Sequence, residues 1–190
     1  ADPNYARAYA WQACSTATVV QWEPGRFGEN WLDVCFDNVS RAMEIDPDDA
    51  EVHRILGAIR MFRREFDASL SHHEKARDLC PSDPYIRFKY ATVLIYAGDP
   101  EKALEEIKTG KRLDPFCPDY LLEDEGICYY WLNKFEESVK SFSKLKVPSR
   151  NSLFYLAAAY SKKGEATRAN ERLAEAVSVS NLTILDFMNT

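Results

Sequence analysis

A chain of 190 residues with 46 % hydrophobic and 28 % charged side chains is long enough to bury a substantial core and too apolar to stay disordered. Its net charge of −6 and its lack of any basic block leave capture of nucleic acid or of an anionic membrane without electrostatic support. No run approaches the roughly 18 apolar residues of a membrane span, no secretory leader is legible, and five cysteines without a CxxC pair read as reduced, partly buried thiols of a cytoplasmic protein.

Ala1-Asp2-Pro3 reads as the tail of a unit whose helices precede it, so the chain is expected to be a fragment of a longer one. Tyr5 to Val19 then reads as a helix and Asn30 to Glu44 as its partner, with Ala13 and Cys35 as small residues facing each other. The segment between them, 20–29, holds Trp22, Pro24, Gly25 and Gly28. It is expected to extend the first helix or to pack as an aromatic loop.

From Asp48 onward the pattern becomes regular. Asp48 and Asp49 can cap a helix that carries Val52, Ile55, Leu56, Ile59 and Phe62. A polar turn at Arg63-Arg64-Glu65 leads to a second helix with Leu70, His73, Ala76 and Leu79, and Cys80-Pro81 ends it. Ser82-Asp83-Pro84 opens the next pair, Gly98 stops its first helix, and Asp99-Pro100-Glu101 starts the second. Leu121 to Leu132 and Phe135 to Leu145 form a further pair around Asn133-Lys134, and Leu153 to Tyr160 with Ala166 to Ala176 form the last around Lys163-Gly164. Residues 181–190 are expected to add a short helix capping the open end of the stack.

Two regularities bind these pairs together. Helix-ending prolines stand at Pro47, Pro81 and Pro115, 34 residues apart, and Pro148 follows after 33. Small residues recur twelve positions apart as Gly57 and Ser69, Ala91 and Ala103, Gly126 and Ser138, and Ala157 and Ala169, where two antiparallel helices joined by a short turn face each other. This combination resembles the tetratricopeptide repeat over nearly the whole chain. The resemblance implies an all-α, right-handed superhelical solenoid of about five antiparallel helix pairs. The units would span about 4–47 (with the insertion at 20–29), 48–81, 82–115, 116–148 and 149–180. The segment Asp114-Pro115-Phe116-Cys117-Pro118-Asp119-Tyr120, together with the long first unit, resembles repeat domains at the C-terminus of bacterial class III adenylate/guanylate cyclases and related winged-helix regulators. That resemblance implies a regulatory appendage acting through an upstream domain of the same chain or through dimerisation.

By helical spacing the first helix of each unit lines the concave face. The expected groove residues are Arg54, Phe62, Tyr85, Phe88, Tyr96, Tyr120, Tyr130, Trp131 and Phe154, flanked by Glu51, Ala58, Thr92, Glu123, Ile127, Asn151 and Lys162, with Arg7, Cys14 and Thr18 in the first unit. Tyr and Trp pair apolar area with a polar tip, which suits anchors for a protein or peptide partner. They also suit packing between neighbouring units, and both readings stand at this point. His53 and His73 occupy positions where a large apolar side chain is expected, on facing helices. They could share a metal or a pH-sensitive contact, or serve as two half-buried imidazoles with ordinary hydrogen bonds.

The chain carries no glycine-rich phosphate loop, no G-x-S-x-G and no H-E-x-x-H, and Glu123 and Glu125 point to different sides of their helix. No catalytic, cofactor or metal site is therefore expected. The expected function is a scaffold holding a peptide or partner domain in the groove. A cyclase-type regulatory domain is the alternative, and self-association through an open stack end or the 20–29 loop is the third reading.

Overall fold

The computed structural model describes residues 4–23, 25–116 and 118–180. Over these residues the chain forms ten helices and no strand. In order they are α1 (Ala6–Trp22), α2 (Trp31–Ile45), α3 (Ala50–Phe62), α4 (Phe66–Leu79), α5 (Pro84–Tyr96), α6 (Pro100–Leu113), α7 (Tyr120–Trp131), α8 (Phe135–Phe142), α9 (Arg150–Lys162) and α10 (Ala166–Ser180). The expected cap at 181–190 and residue Cys117 lie outside the described residues.

Short polar side chains start the helices. The Asp49 carboxylate accepts the backbone N–H groups of Glu51 and Val52 at 2.8 and 3.2 Å, and Asp83 does the same for Tyr85 and Ile86. Asp99 caps α6 through the N–H of Lys102, and Ser149 caps α9 through that of Ser152. Each such cap contributes on the order of 1 kcal/mol by satisfying N–H groups that the helix cannot.

The turns inside the regular pairs share one geometry. Arg64, Gly98, Asn133 and Gly164 all have positive φ, between 57° and 85°. One residue later, Glu65, Asp99, Lys134 and Glu165 donate their N–H back to the carbonyls of Arg60, Leu94, Tyr129 and Tyr160 at 2.9–3.0 Å. A six-to-one bond around a left-handed residue is the usual way to end a helix sharply. Glycine meets that demand without strain at 98 and 164, and asparagine meets it cheaply at 133.

The twelve-residue small pairs sit where the two helices cross. The Ser69 hydroxyl donates to the Gly57 carbonyl at 2.7 Å, and the Ser138 hydroxyl donates to the Gly126 carbonyl at 2.8 Å. In the first pair the Cys35 thiol takes the same place against the Ala13 carbonyl at 3.4 Å. A Cβ added at Gly57 would overlap the imidazole of His73, and one at Gly126 would lie 2.7 Å from Phe142 Cζ. Small residues here set how closely the helix axes approach.

Successive helices pack as antiparallel neighbours, and the odd-numbered helices α1, α3, α5, α7 and α9 also touch one another in sequence. Among the described residues the even-numbered helices of adjacent pairs make no such contact. The stack therefore bends, with odd helices on the inside and even helices fanned along the outside. Helix α1 runs on to Trp22, and a turn over residues 25–30 leads into α2. Among the described residues no helix is long and apolar enough to cross a membrane.

Candidate functional site

The inner surface is set by one stripe on each odd helix. On α5 the stripe is Tyr85, Lys89, Thr92 and Tyr96, and on α7 it is Tyr120, Asp124, Ile127 and Trp131. Each α7 member stands 35 residues after its α5 counterpart. Steps of four, three and four keep these side chains on one helical face.

Two cavities open on this surface and meet at Tyr96. The first, about 360 Å³, is lined by Cys14, Thr18, Arg54, Ala58, Met61, Phe62, His73, Tyr85, Lys89, Thr92 and Tyr96. The second, about 500 Å³, lies between α5, α7 and α9 and is lined by Ile95, Tyr96, Gly98, Pro100, Asp124, Ile127, Trp131, Asn151 and Tyr155.

Of the expected groove residues, Phe62, Tyr85, Tyr96 and Trp131 line these cavities, and Tyr96 and Trp131 are 66 % and 58 % exposed. Tyr120 joins them through the Lys89 ammonium, which lies 4.8 Å from its ring centre and 5.2 Å from that of Tyr85. Arg54 lines the first cavity, yet its guanidinium is already engaged. It donates two hydrogen bonds to Glu51 at 2.6 and 2.7 Å and lies 5.0 Å from the Tyr85 ring centre and 5.9 Å from that of Trp11. Burial works against its charge, but the Glu51 carboxylate holds its pKa above the usual arginine range.

Phe88 is a correction. The structure buries it to 1 % exposure, with its ring against the backbone of Gly110 on α6, so it belongs to the core between α5 and α6. The residue one position further, Lys89, takes the place in the groove. Tyr130 lines neither cavity and packs on Phe135 and Tyr155 with ring centres 5.8 and 5.3 Å apart. Phe154 also lies outside them, with the Arg150 guanidinium 5.3 Å from its ring centre. Lys89, Asp124 and Tyr155 are among the groove residues the sequence reading missed. The 35-residue step between aromatic pairs, Tyr85 to Tyr120 and Tyr96 to Trp131, was the signal that would have selected the charged residues between them.

The electrostatics of the stripe change sign along the groove. Lys89 is depressed below the usual lysine range by burial and by the nearby Arg54 charge. Asp124 is pushed up to about 6, chiefly by burial, although the Thr92 hydroxyl donates to its Oδ2 at 2.8 Å. Neighbouring Glu123 is occupied by the Ser149 hydroxyl at 2.8 Å and the Asn151 amide at 3.1 Å.

The histidines pair differently from the expectation. His53 and His72 place their Nδ1 atoms 3.0 Å apart, and His53 Nε2 lies 2.9 Å from the Pro47 carbonyl. His53 must donate there, so when neutral it accepts from His72 Nδ1–H. His73 instead turns into the α3–α4 interface, donating Nδ1–H to the Ser69 carbonyl at 2.9 Å. Burial lowers its pKa to about 4. Among the described residues no group of three or more side chains could hold a metal ion. Cys14, Cys35, Cys80 and Cys128 are free thiols, and burial pushes Cys128 up to about 12.

No protein-family model matches the chain, and no curated protein matches its sequence. Solved structures do match its fold. YrrB, a TPR protein with an unusual peptide-binding site, aligns with a TM-score of 0.65 over 94 % of this chain and 88 % of its own, at 17 % identity. PilF of Pseudomonas aeruginosa aligns with a TM-score of 0.71 over 88 % of this chain and 73 % of its own, also at 17 % identity. A chain of the APC/C hetero-tetramer Cut9–Hcn1 aligns with a TM-score of 0.80 over 97 % of this chain and 35 % of its own, at 16 % identity. The fold is that of a tetratricopeptide-repeat solenoid.

Proposed function

We propose that this chain is a docking module that holds an extended segment of a partner protein along the inner face of α5 and α7. The observation that carries the reading is the aromatic stripe of Tyr85, Tyr96, Tyr120 and Trp131, each between 37 % and 66 % exposed on one continuous concave face. Aromatic rings held outside the core on rigid helices supply large contact area at small entropic cost, the character of binding anchors. The structural likeness to YrrB, described as having a peptide-binding site, supports the same reading.

Changing Tyr96 and Trp131 together to Ala is expected to weaken partner binding by about 100-fold, as titration calorimetry would show for a partner recovered by cross-linking in cells. Helical content should not change, because both rings lie largely outside the core. Substituting Lys108 and Arg112 on the outer helix α6 serves as the control and should leave affinity intact. Unaltered affinity in the aromatic variant would remove the groove as the docking surface.

A further inference from the structure

We propose that the cavity between α5, α7 and α9 takes an arginine or lysine side chain of the docked peptide, with the cationic head against Asp124 and the aliphatic stem between Tyr96, Trp131 and Tyr155. The inference rests on the groove reading above and names the peptide's chemistry.

Geometry supplies the first argument. The cavity holds about 500 Å³, open enough for one long side chain, and three aromatic rings, Tyr96, Trp131 and Tyr155, stand in its walls. The Trp131 and Tyr155 rings stand 6.5 Å apart at 69°, which leaves a corner with two faces, and the exposed Tyr96 ring flanks it from α5. Aromatic faces attract a cation, and Arg or Lys stems pack well along such surfaces.

Charge supplies the second. Asp124 has one hydrogen-bond donor, Thr92, and no ion pair among the described residues. The nearest cation of the same stripe, Lys89, is held over the Tyr85 and Tyr120 rings instead. Lys89 favours the Asp124 charge at a distance but makes no ion pair with it, so an apolar occupant would seal a carboxylate away from water without a direct partner, at a cost that a cationic occupant reduces. An acidic occupant would add repulsion from Asp124 and Glu123. Burial has already raised the Asp124 pKa to about 6, so binding a cation must also draw a proton off part of the population at mildly acidic pH. The charged and titratable groups facing Asp124 are Lys89 and Tyr96 from α5, Glu123 and Cys128 from its own helix, and Tyr155 from α9.

The test uses a pool of random-sequence short peptides passed over the immobilised chain, with the retained peptides sequenced. At about pH 7 the retained fraction should be enriched in Arg and Lys, and affinity for an enriched peptide should fall about tenfold by pH 5 as Asp124 takes up a proton. Asp124→Asn should abolish both the enrichment and the pH response while still retaining peptides. Retention that depends on Tyr96 and Trp131 but shows no basic enrichment, or enrichment in apolar or acidic residues, overturns the inference and leaves the groove reading standing. Retention indifferent to the aromatic double variant, or none at all, overturns both. If Asp124→Asn fails to fold, the composition of the peptides held by the unsubstituted chain decides alone.

Discussion

Phe88→Ala is expected to lower the free energy of unfolding by about 3–5 kcal/mol, the usual cost of emptying a buried aromatic site. The ring is 1 % exposed and lies against Gly110, where an added Cβ would overlap it. Such a site has little freedom to collapse, because both helices are pinned elsewhere. Tyr90, Ala91 and Leu94 of α5 pack on Ala103, Leu104 and Ile107 of α6. Arg87 of α5 and Arg77 of α4 also converge on the buried Glu106 carboxylate of α6, at 2.6 and 3.3 Å. Urea unfolding checks the value. The same experiment separates core from groove: a groove anchor would cost binding and little stability, as expected for Tyr96, whereas Phe88→Ala should do the reverse. A destabilisation below about 1 kcal/mol would return Phe88 to the surface.

The second large effect is a pair of opposed pH dependences. His73 is buried and neutral, with a folded pKa near 4, while an unfolded histidine titrates at about 6.5. As pH falls through that window the unfolded chain takes up a proton that the folded chain refuses. Stability contributed by this group is therefore present above about pH 6.5 and lost towards pH 4, about 3 kcal/mol in all. Asp124 acts in the other direction. Its folded pKa is raised to about 6 by burial, so the folded chain is protonated first and gains about 2 kcal/mol between pH 6 and about 4. The unsubstituted protein should therefore show a nearly level stability profile from these two groups. His73→Phe should rise in stability on acidification, and Asp124→Asn should fall. Three parallel profiles from denaturant titrations at neutral and mildly acidic pH would refute both assignments.

The architecture was largely legible because its determinants are local. Asp49, Asp83 and Asp99 announce helix starts by their own hydrogen bonds, Gly98 and Gly164 mark left-handed turns, and the small pairs at Gly57/Ser69 and Gly126/Ser138 mark helix crossings. The groove was harder, because a one-residue step rotates a side chain by about 100° around a helix axis. Phe88 and Lys89 differ by that step. Hydrophobicity favoured the phenylalanine as an anchor, yet burial claimed it for the core and left the lysine in the groove. Asp124 was invisible for a related reason, since the middle acid of Glu123-Asp124-Glu125 reads as part of a solvated helix face until Tyr155 and Asn151 of α9 close a cavity beside it. The histidine pairing depended on side-chain direction, with His72 reaching His53 while His73 turned under Gly57. Asp114 has a local role as well: it accepts the Phe116 N–H at 2.9 Å in the turn after α6.

Amide hydrogen exchange of the chain with and without its bound partner tests the groove most directly. Protection on binding should concentrate in α5 and α7, at the residues around Tyr96 and Trp131, and leave α6 and α8 at their free rates. Protection confined to the outer helices, or to the turn over residues 25–30, would contradict a concave docking surface.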